Sequence, residues 1–249
     1  METKIEKIDG YELGSFIKKL LPIDKFIFIK IGQPGTVSSV YFPERDAVKL
    51  VSVNTADIFS GDYDKPIKVS FYNGQKVVEA LSHFNGNIQG RIKYSELDGE
   101  YMASDFILEN SDLKINLACA DPSLSFMELS KEEMSRAFGT DNSMFEFDLL
   151  TTHVDRIKSL FNLDKEEETF TLYLSDKGVS VKGTSYDSTV TASHTGDAPL
   201  GSKVVIYKKY LNLLDKENYK AIICENKVVF KSLDTNTHLT VAVAMIDED

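Results

Sequence analysis

The sequence lacks the features that would place it in a membrane or in the secretory pathway. No apolar run approaches the ~20 residues that a membrane span needs. Residues 1–7 carry charge but no apolar signal-peptide core. The two cysteines, Cys119 and Cys224, lie inside apolar runs without a CxxC partner, so we expect reduced core residues rather than a disulfide. These absences predict a cytoplasmic protein that is not secreted and has no membrane partner.

Recognisable catalytic and cofactor motifs are also missing. The chain has no phosphate-binding glycine loop, dinucleotide fingerprint, zinc-protease motif, nucleophile elbow or EF-hand spacing. Its histidines, His83, His153, His194 and His238, are scattered, and the acidic run 166–168 favours a solvated loop over a metal site. The sequence therefore predicts a protein that is not an enzyme and that uses no cofactor and no metal.

Basic residues are outnumbered by acidic ones. With 28 Lys and Arg against 39 Asp and Glu, the net charge is −11, which argues against a uniformly basic nucleic-acid binder. It leaves open a protein whose few basic residues are gathered on one surface, because distribution rather than total charge sets the local field.

What the chain does contain is a repeat. Residues 17–25 (IKKLLPIDK) and 157–165 (IKSLFNLDK) align without gaps, and each copy ends a predicted helix and leads into an apolar run. Residues 113–121 likewise align with 239–247. A recurring helix–strand unit indicates duplication, although coincidence in a Lys- and Leu-rich chain is the competing explanation. We predict domain 1 at 1–120, a connector at 121–143 and domain 2 at 144–249.

Each half follows the order helix, strands, helix, strands. Apolar stripes at helical spacing predict helices over 11–21, 73–84, 147–163 and 207–214, with a further short helix at 131–138 in the connector. The fold class we expect is α+β, with two similar domains, each a curved antiparallel sheet carrying two helices on one side.

The outward faces of the four main helices all carry basic residues. This candidate DNA-facing set is Lys18, Lys19, Lys76, Arg156, Lys158, Lys208 and Lys209. An ordinary solvated helix surface would explain any one of these faces, whereas four in a duplicated frame favour a positive strip. Such a strip suits the phosphate backbone without reading bases, and its binding would be sensitive to salt.

With the repeat and the basic faces, two short motifs complete a resemblance. Residues 118–123 (ACADPS) end the first domain, and residues 243–249 (VAMIDED) form an apolar and then acidic terminus. The chain resembles DNA polymerase sliding clamps, the trimeric processivity factors of tailed phages and the proliferating cell nuclear antigen (PCNA). The layout matches over nearly the whole chain. The first domain departs considerably from PCNA, which favours the phage type, and the small size and phage-like features suggest a virus acting in a host cytoplasm.

The resemblance implies a head-to-tail homotrimeric ring with its helices lining the hole. Such a ring encircles double-stranded DNA without sequence specificity, tethers the replicative DNA polymerase and is placed on DNA by an ATP-dependent clamp loader. Edge strands would pair between subunits. The interface residues implied here are Leu113, Ile115 and Leu117 in one strand and Ser188, Val190 and Ala192 in the other.

Clamps also bind short apolar peptides of their partners beside the connector. The groove residues implied here are Val48, Leu50, Leu124, Phe126, Met127, Leu129, Met245 and Ile246. Apolar residues in a polar loop suggest a covered surface, but they would also fit a loop folded back on its own domain.

Two other readings remain open at this point. One is a monomeric polymerase processivity factor of the same fold, which would need its own DNA affinity. The other is a duplicated β-rich structural or adaptor protein without DNA binding.

Overall fold

The computed structural model describes residues 1–22, 24–32, 35–41, 46–61, 65–121, 130–233 and 237–244. The chain divides into two compact units. The first contains residues 1–42 and 50–130, and the second contains residues 43–49 and 131–249. A short internal segment is thus counted with the second unit. The predicted boundaries at 120 and 143 stay a prediction.

The first unit is built on a mostly antiparallel sheet. Its strands are β1 (Glu2–Ile8), β2 (Ile27–Ile31), β3 (Gly35–Tyr41), β4 (Ala47–Asn54), β5 (Phe59–Ser60), β6 (Ile67–Phe71), β7 (Ile88–Leu97), β8 (Glu100–Glu109) and β9 (Lys114–Ala118). They follow the order β4-β3-β2-β6-β8-β7-β1-β5. β6 pairs in parallel with the start of β8, whereas β9 pairs antiparallel with its second half. Residues 47–49 of β4 are counted with the second unit.

Two amphipathic helices, each predicted from its apolar stripe, pack together in the first unit. α1 (Gly10–Leu20) begins where the Asp9 side chain accepts hydrogen bonds from two backbone N–H groups, each at 3.0 Å, and a one-turn helix, α2 (Thr55–Ile58), follows β4. α3 (Gly74–Ser82) is capped in the same way by Asn73. The contact between α1 and α3 is close, since a Cβ at Gly74 would lie 3.2 Å from Ile17 and 2.4 Å from Ile27 of β2.

The second unit contains two four-stranded arrangements. Its strands are β10 (Ser143–Leu149), β11 (Thr169–Ser175), β12 (Gly178–Lys182), β13 (Asp187–Thr191), β14 (Lys203–Tyr207), β15 (Tyr219–Cys224), β16 (Lys227–Ser232) and β17 (Thr237–Ala244). One series runs β10-β15-β16-β17 and the other β13-β12-β11-β14. The pairings within both are antiparallel. The predicted α+β class, with antiparallel sheets and few helices, is confirmed.

The helix predicted over 147–163 is wrong in its first part. Residues 147–149 continue β10 and pair with residues 221–219 of β15. The true helix, α5, spans Thr151–Leu160 and is followed by a 3₁₀ turn at Phe161–Leu163. Phe147 fits a helical stripe, but Phe145, Phe147 and Leu149 are also the buried positions of an alternating strand. Pairing with β15 decides between the two periods.

The helix predicted over 207–214 is a 3₁₀ helix, Lys208–Leu213, rather than an α-helix. A 3₁₀ helix has three residues per turn, so side chains at i and i+3 align. Tyr207 and Tyr210 accordingly meet edge to face with their ring centroids 5.6 Å apart. The 3₁₀ helix still turns apolar side chains into the core, since Tyr210, Leu211 and Leu213 are buried.

The connector helix predicted at 131–138 is confirmed as α4 (Lys131–Phe138). None of its residues is buried, and it is anchored through Phe138, which packs on Ile222, Cys224 and Val229. The ammonium of Lys227 also donates to a carbonyl oxygen in its last turn. Since neighbours in a strand point to opposite faces, this patch lies on the opposite face of β15 from Ala221 and Ile223.

Candidate functional surfaces

The basic residues predicted on α1 and α3 lie on the outer sides of these packed helices. Lys18 and Lys76 are exposed and Lys19 is half-buried. The opposite sides of the helices are fixed in the core by buried residues such as Phe16 and Val77. The first unit therefore presents lysine ammonium groups on a surface formed by two adjacent helices.

The basic residues of α5 are placed differently from one another. Arg156 is exposed, and its Nη2 donates to Ser188 Oγ of β13 at 2.8 Å. Lys158 is half-buried; this burial lowers the pKa of its ammonium, while Asp155 and Asp215 act in the opposite direction. Arg156 thus ties the helix to β13, and Lys158 lies deeper than an outward-facing residue would.

The two lysines of the 3₁₀ helix also have separate surroundings. Lys208 Nζ donates to the carbonyl oxygen of Asp164 at 2.6 Å and lies 5.0 Å from the ring centroid of Phe161. Lys209 is 47% exposed and lies over the rings of Tyr207 and Tyr210, at 5.0 and 5.2 Å from their centroids. Lys208 therefore holds the 3₁₀ helix to the segment after α5, whereas Lys209 faces outward from an aromatic platform.

A segment that sequence reasoning missed braces this 3₁₀ helix. Lys49 is fully buried, and its ammonium donates to the Leu213 carbonyl at 2.8 Å and to Asp215 Oδ2 at 3.1 Å. Near the other end of the helix, Asp46 accepts from the hydroxyl of Tyr210 and lies 3.5 Å from Lys209 Nζ. The available signal was a lysine inside the apolar run 47–51, which requires a buried acceptor.

Both strands predicted to pair between subunits lie at sheet edges. Within the described part of the chain, β9 pairs with β8 alone, and β13 ends its four-stranded sheet. Around β9, Leu113, Ile115 and Leu117 are half-buried. In and after β13, Ser188 is half-buried, Val190 is buried and Ala192 is exposed. β9 and β13 therefore each offer a strand edge, one in each unit, that can accept further backbone pairing.

Carboxylates after α5 hold the turn that leads into β13. Asp164 Oδ2 accepts from the backbone N–H of Ser185 at 2.9 Å, and Glu167 accepts from the N–H and hydroxyl of Thr184 at 3.1 and 3.0 Å. Hydrogen bonds from Ser185 lower the pKa of Asp164. Burial raises the pKa of the adjacent Tyr186 to about 12. The turn before β13 is thus held by the carboxylates of Asp164 and Glu167.

The predicted peptide groove is described only in part. Val48 is buried and Leu50 is half-buried, both in β4. Leu124, Phe126, Met127, Leu129, Met245 and Ile246 lie outside the described residues. The groove stays a prediction.

The residues that the structure describes include neither a metal-binding cluster nor a helix that could span a membrane. They contain no cluster of His, Cys, Asp and Glu side chains that could hold a metal ion. None of their helices has the length and apolar character to cross a bilayer. His153 instead accepts a hydrogen bond from the Leu150 N–H at 3.3 Å, at the start of α5.

No protein-family model and no curated protein sequence matches the chain. Solved structures do match it over its full length. PCNA from Entamoeba histolytica has a TM-score of 0.71 and 13% identity, covering 99% of this chain and 98% of that one. A PCNA2–PCNA3 complex from Sulfolobus tokodaii gives 0.68 and 13%, with complete coverage of both chains. A. fulgidus PCNA bound to the C-terminal region of FEN-1 gives 0.66 and 10%, covering 100% and 99%. None of the three is a phage clamp, so the expected phage type gains no support.

Proposed function

We propose that this chain, which has the sliding-clamp fold of PCNA, is a DNA sliding clamp: a homotrimeric ring that encircles duplex DNA and tethers a DNA polymerase. The observation that carries the proposal is the pair of strand edges, β9 in the first unit and β13 in the second. A chain with two different edges can pair head to tail, and such a heterologous contact closes into a ring when its rotation allows. The protein is then a scaffold rather than an enzyme.

Ring closure would use backbone hydrogen bonds between β9 of one subunit and β13 of the next. Each strand is five residues long, so the paired segments match in length. Half-buried Ile115 and Leu117 would gain burial from the neighbouring subunit, which adds hydrophobic stabilisation to the ladder. Asp164 and Glu167 accept hydrogen bonds from the turn at residues 184–185, and these bonds would keep β13 in place for pairing.

Retention on DNA would come from topology rather than from base contacts. Exposed Lys18, Lys76, Arg156 and Lys209 supply positive charge for the phosphate backbone. Each such contact is weak and salt-dependent, which permits sliding. The remaining surface of a chain with net charge −11 would repel DNA and confine it to the basic surface.

Partners would bind as the resemblance implies. A replicative polymerase would insert an apolar peptide into the groove that includes Val48 and Leu50, and an ATP-dependent clamp loader would open the ring. The solved PCNA bound to the C-terminal region of FEN-1 supports peptide binding by this fold.

The oligomeric mass tests the proposal. Size-exclusion chromatography with light scattering should give about three chains per particle. Ile115→Asp should dissociate the particle, because it places a charge on the half-buried side of β9. The matched control is Asn116→Lys, which puts a charge on the exposed side of the same strand beside Asp105 and should preserve the particle. A wild-type monomer at all concentrations would refute the ring.

Filter binding then separates the alternatives. A closed ring slides off the ends of linear DNA and is not retained with it, whereas a monomeric processivity factor retains the DNA unaided. A monomer that neither retains DNA nor stimulates a polymerase would indicate the adaptor instead.

A further inference from the structure

The segment at residues 46–49 contacts the 3₁₀ helix Lys208–Leu213 at both of its ends. Lys49 holds its C-terminal end through the Leu213 carbonyl and Asp215. Asp46 holds its N-terminal end through Tyr210 and Lys209. The contact through Lys49 is buried, whereas the side chains of Asp46 and Lys209 are 23% and 47% exposed. The outer contact can therefore exchange with a solvent-borne anion and the inner one cannot.

One oxygen of Asp46 serves two donors. Its Oδ2 accepts from the hydroxyl of Tyr210, which is fully buried, and also lies 3.5 Å from the Lys209 ammonium. If Lys209 turned to another anion, the carboxylate would keep its hydrogen bond to Tyr210. The exchange would therefore not leave Asp46 without a partner, which lowers its cost.

Lys209 also keeps its platform during such an exchange. Its ammonium lies 5.0 Å from the Tyr207 ring centroid and 5.2 Å from that of Tyr210, and the two rings meet edge to face with their centroids 5.6 Å apart. Lys208 differs, because its ammonium is held at 2.6 Å by the Asp164 carbonyl and half-buried. Of the two lysines, Lys209 is the one placed for a phosphate.

We infer that Asp46 is an internal counter-ion that competes with DNA phosphate for Lys209 and so weakens the hold of the 3₁₀ helix on duplex DNA. The inference rests on the proposed function. A carboxylate at this position limits the strength of a contact that a sliding protein must repeatedly break. The residue is thus a positioning residue for Lys209 rather than a DNA contact itself.

The test is the affinity for a short labelled linear duplex, measured by fluorescence anisotropy at several low salt concentrations. The open ends of this duplex allow a closed ring to be threaded without a loader. Asp46→Asn should bind about two- to fivefold more tightly than wild type, the range expected for losing one exposed ion pair. Asp46→Glu, which keeps the charge, should bind like wild type.

Two controls isolate the contact. Asp176→Asn removes the same charge from the exposed β11–β12 turn and should leave affinity nearly unchanged. In a Lys209→Gln background, Asp46→Asn should have no further effect, because the competing pair no longer exists. Circular dichroism verifies folding, and if Asp46→Asn misfolds, Asp46→Ser replaces it.

The outcomes distinguish the inference from the function on which it rests. If wild type binds duplex but Asp46→Asn and Asp176→Asn tighten binding equally, the effect is one of net charge and the inference is overturned. If Asp46→Asn tightens binding equally in the wild-type and Lys209→Gln backgrounds, the inference is also overturned. If a trimer binds the duplex and Asp46→Asn leaves its affinity unchanged, the inference alone is overturned. If the wild-type protein is a monomer and binds no duplex at any salt concentration, the proposed function fails and the inference with it.

Discussion

Replacing Lys49 by methionine should lower the free energy of unfolding by about 3 kcal/mol. The Lys49 side chain has no solvent exposure, and its ammonium is held by the Leu213 carbonyl and by Asp215. Methionine has a similar length, so packing is largely preserved and the electrostatic loss dominates. Removing one partner of a buried ion pair costs about 3–5 kcal/mol. The lower end applies here because Asp215 is 26% exposed and can be rehydrated.

The structure also explains why the site cannot simply relax. The backbone N–H of Asp215 donates to the hydroxyl of Tyr219 at 2.9 Å, and Tyr219 is fully buried in β15. This hydrogen bond fixes the backbone of Asp215, so its carboxylate stays close to the space that the Lys49 ammonium occupied. At about 2–4 °C per kcal/mol for a domain of this size, the melting temperature should fall by about 6–12 °C.

Urea denaturation followed by far-UV circular dichroism measures the change as a shift in midpoint. Lys216→Met is the matched control, because Lys216 is an exposed lysine in the same turn. Asp215→Asn should also destabilise the protein, since it removes the carboxylate that lies 3.1 Å from the buried ammonium. Equal midpoints for Lys49→Met and Lys216→Met would refute the reasoning.

Two further predictions concern the second unit. Because hydrogen bonds lower the pKa of Asp164, its ionisation contributes stability above the ordinary carboxyl pKa that is lost as pH falls through the lowered value. Melting curves of wild type and Asp164→Asn should therefore converge towards acid pH, and parallel pH profiles would contradict this. Phe138→Ala should speed alkylation of Cys224 several-fold in a Cys119→Ser background, because α4 is anchored on that cysteine and has no buried residue of its own. Mass spectrometry follows the labelling, and an unchanged rate would show that α4 does not protect the thiol.

The elements with local signals were predictable. Asp9 and Asn73 cap α1 and α3 through side-chain oxygens only two or three residues away, and the apolar stripes of these helices follow from periodicity alone. β10 was mistaken for the start of a helix because Phe147 fits both periods. β1 and β14 were not predicted, because their pairing partners are distant in the sequence. β1 pairs with β5 and β7, and β14 pairs with β11.

The candidate surfaces divide in the same way. The outward positions of Lys18, Lys76 and Arg156 follow from helical spacing, and the edge position of β9 and β13 agrees with the strands chosen from the resemblance. The different surroundings of Lys208 and Lys209 could not be predicted. Asp46 lies 163 residues from Lys209 along the chain, and no local pattern connects them.

By itself the sequence determined the α+β class, the amphipathic helices α1 and α3 and the outward positions of Lys18 and Lys76, because these follow from residue types and from spacing within one segment. Only the tertiary structure decided that Lys49 is a buried charge tied to Asp215, that Asp46 lies against Lys209, and that α4 covers Cys224. The physical reason is that burial and ion pairing depend on which distant segments the fold brings within a few ångströms, and periodicity carries no information about that.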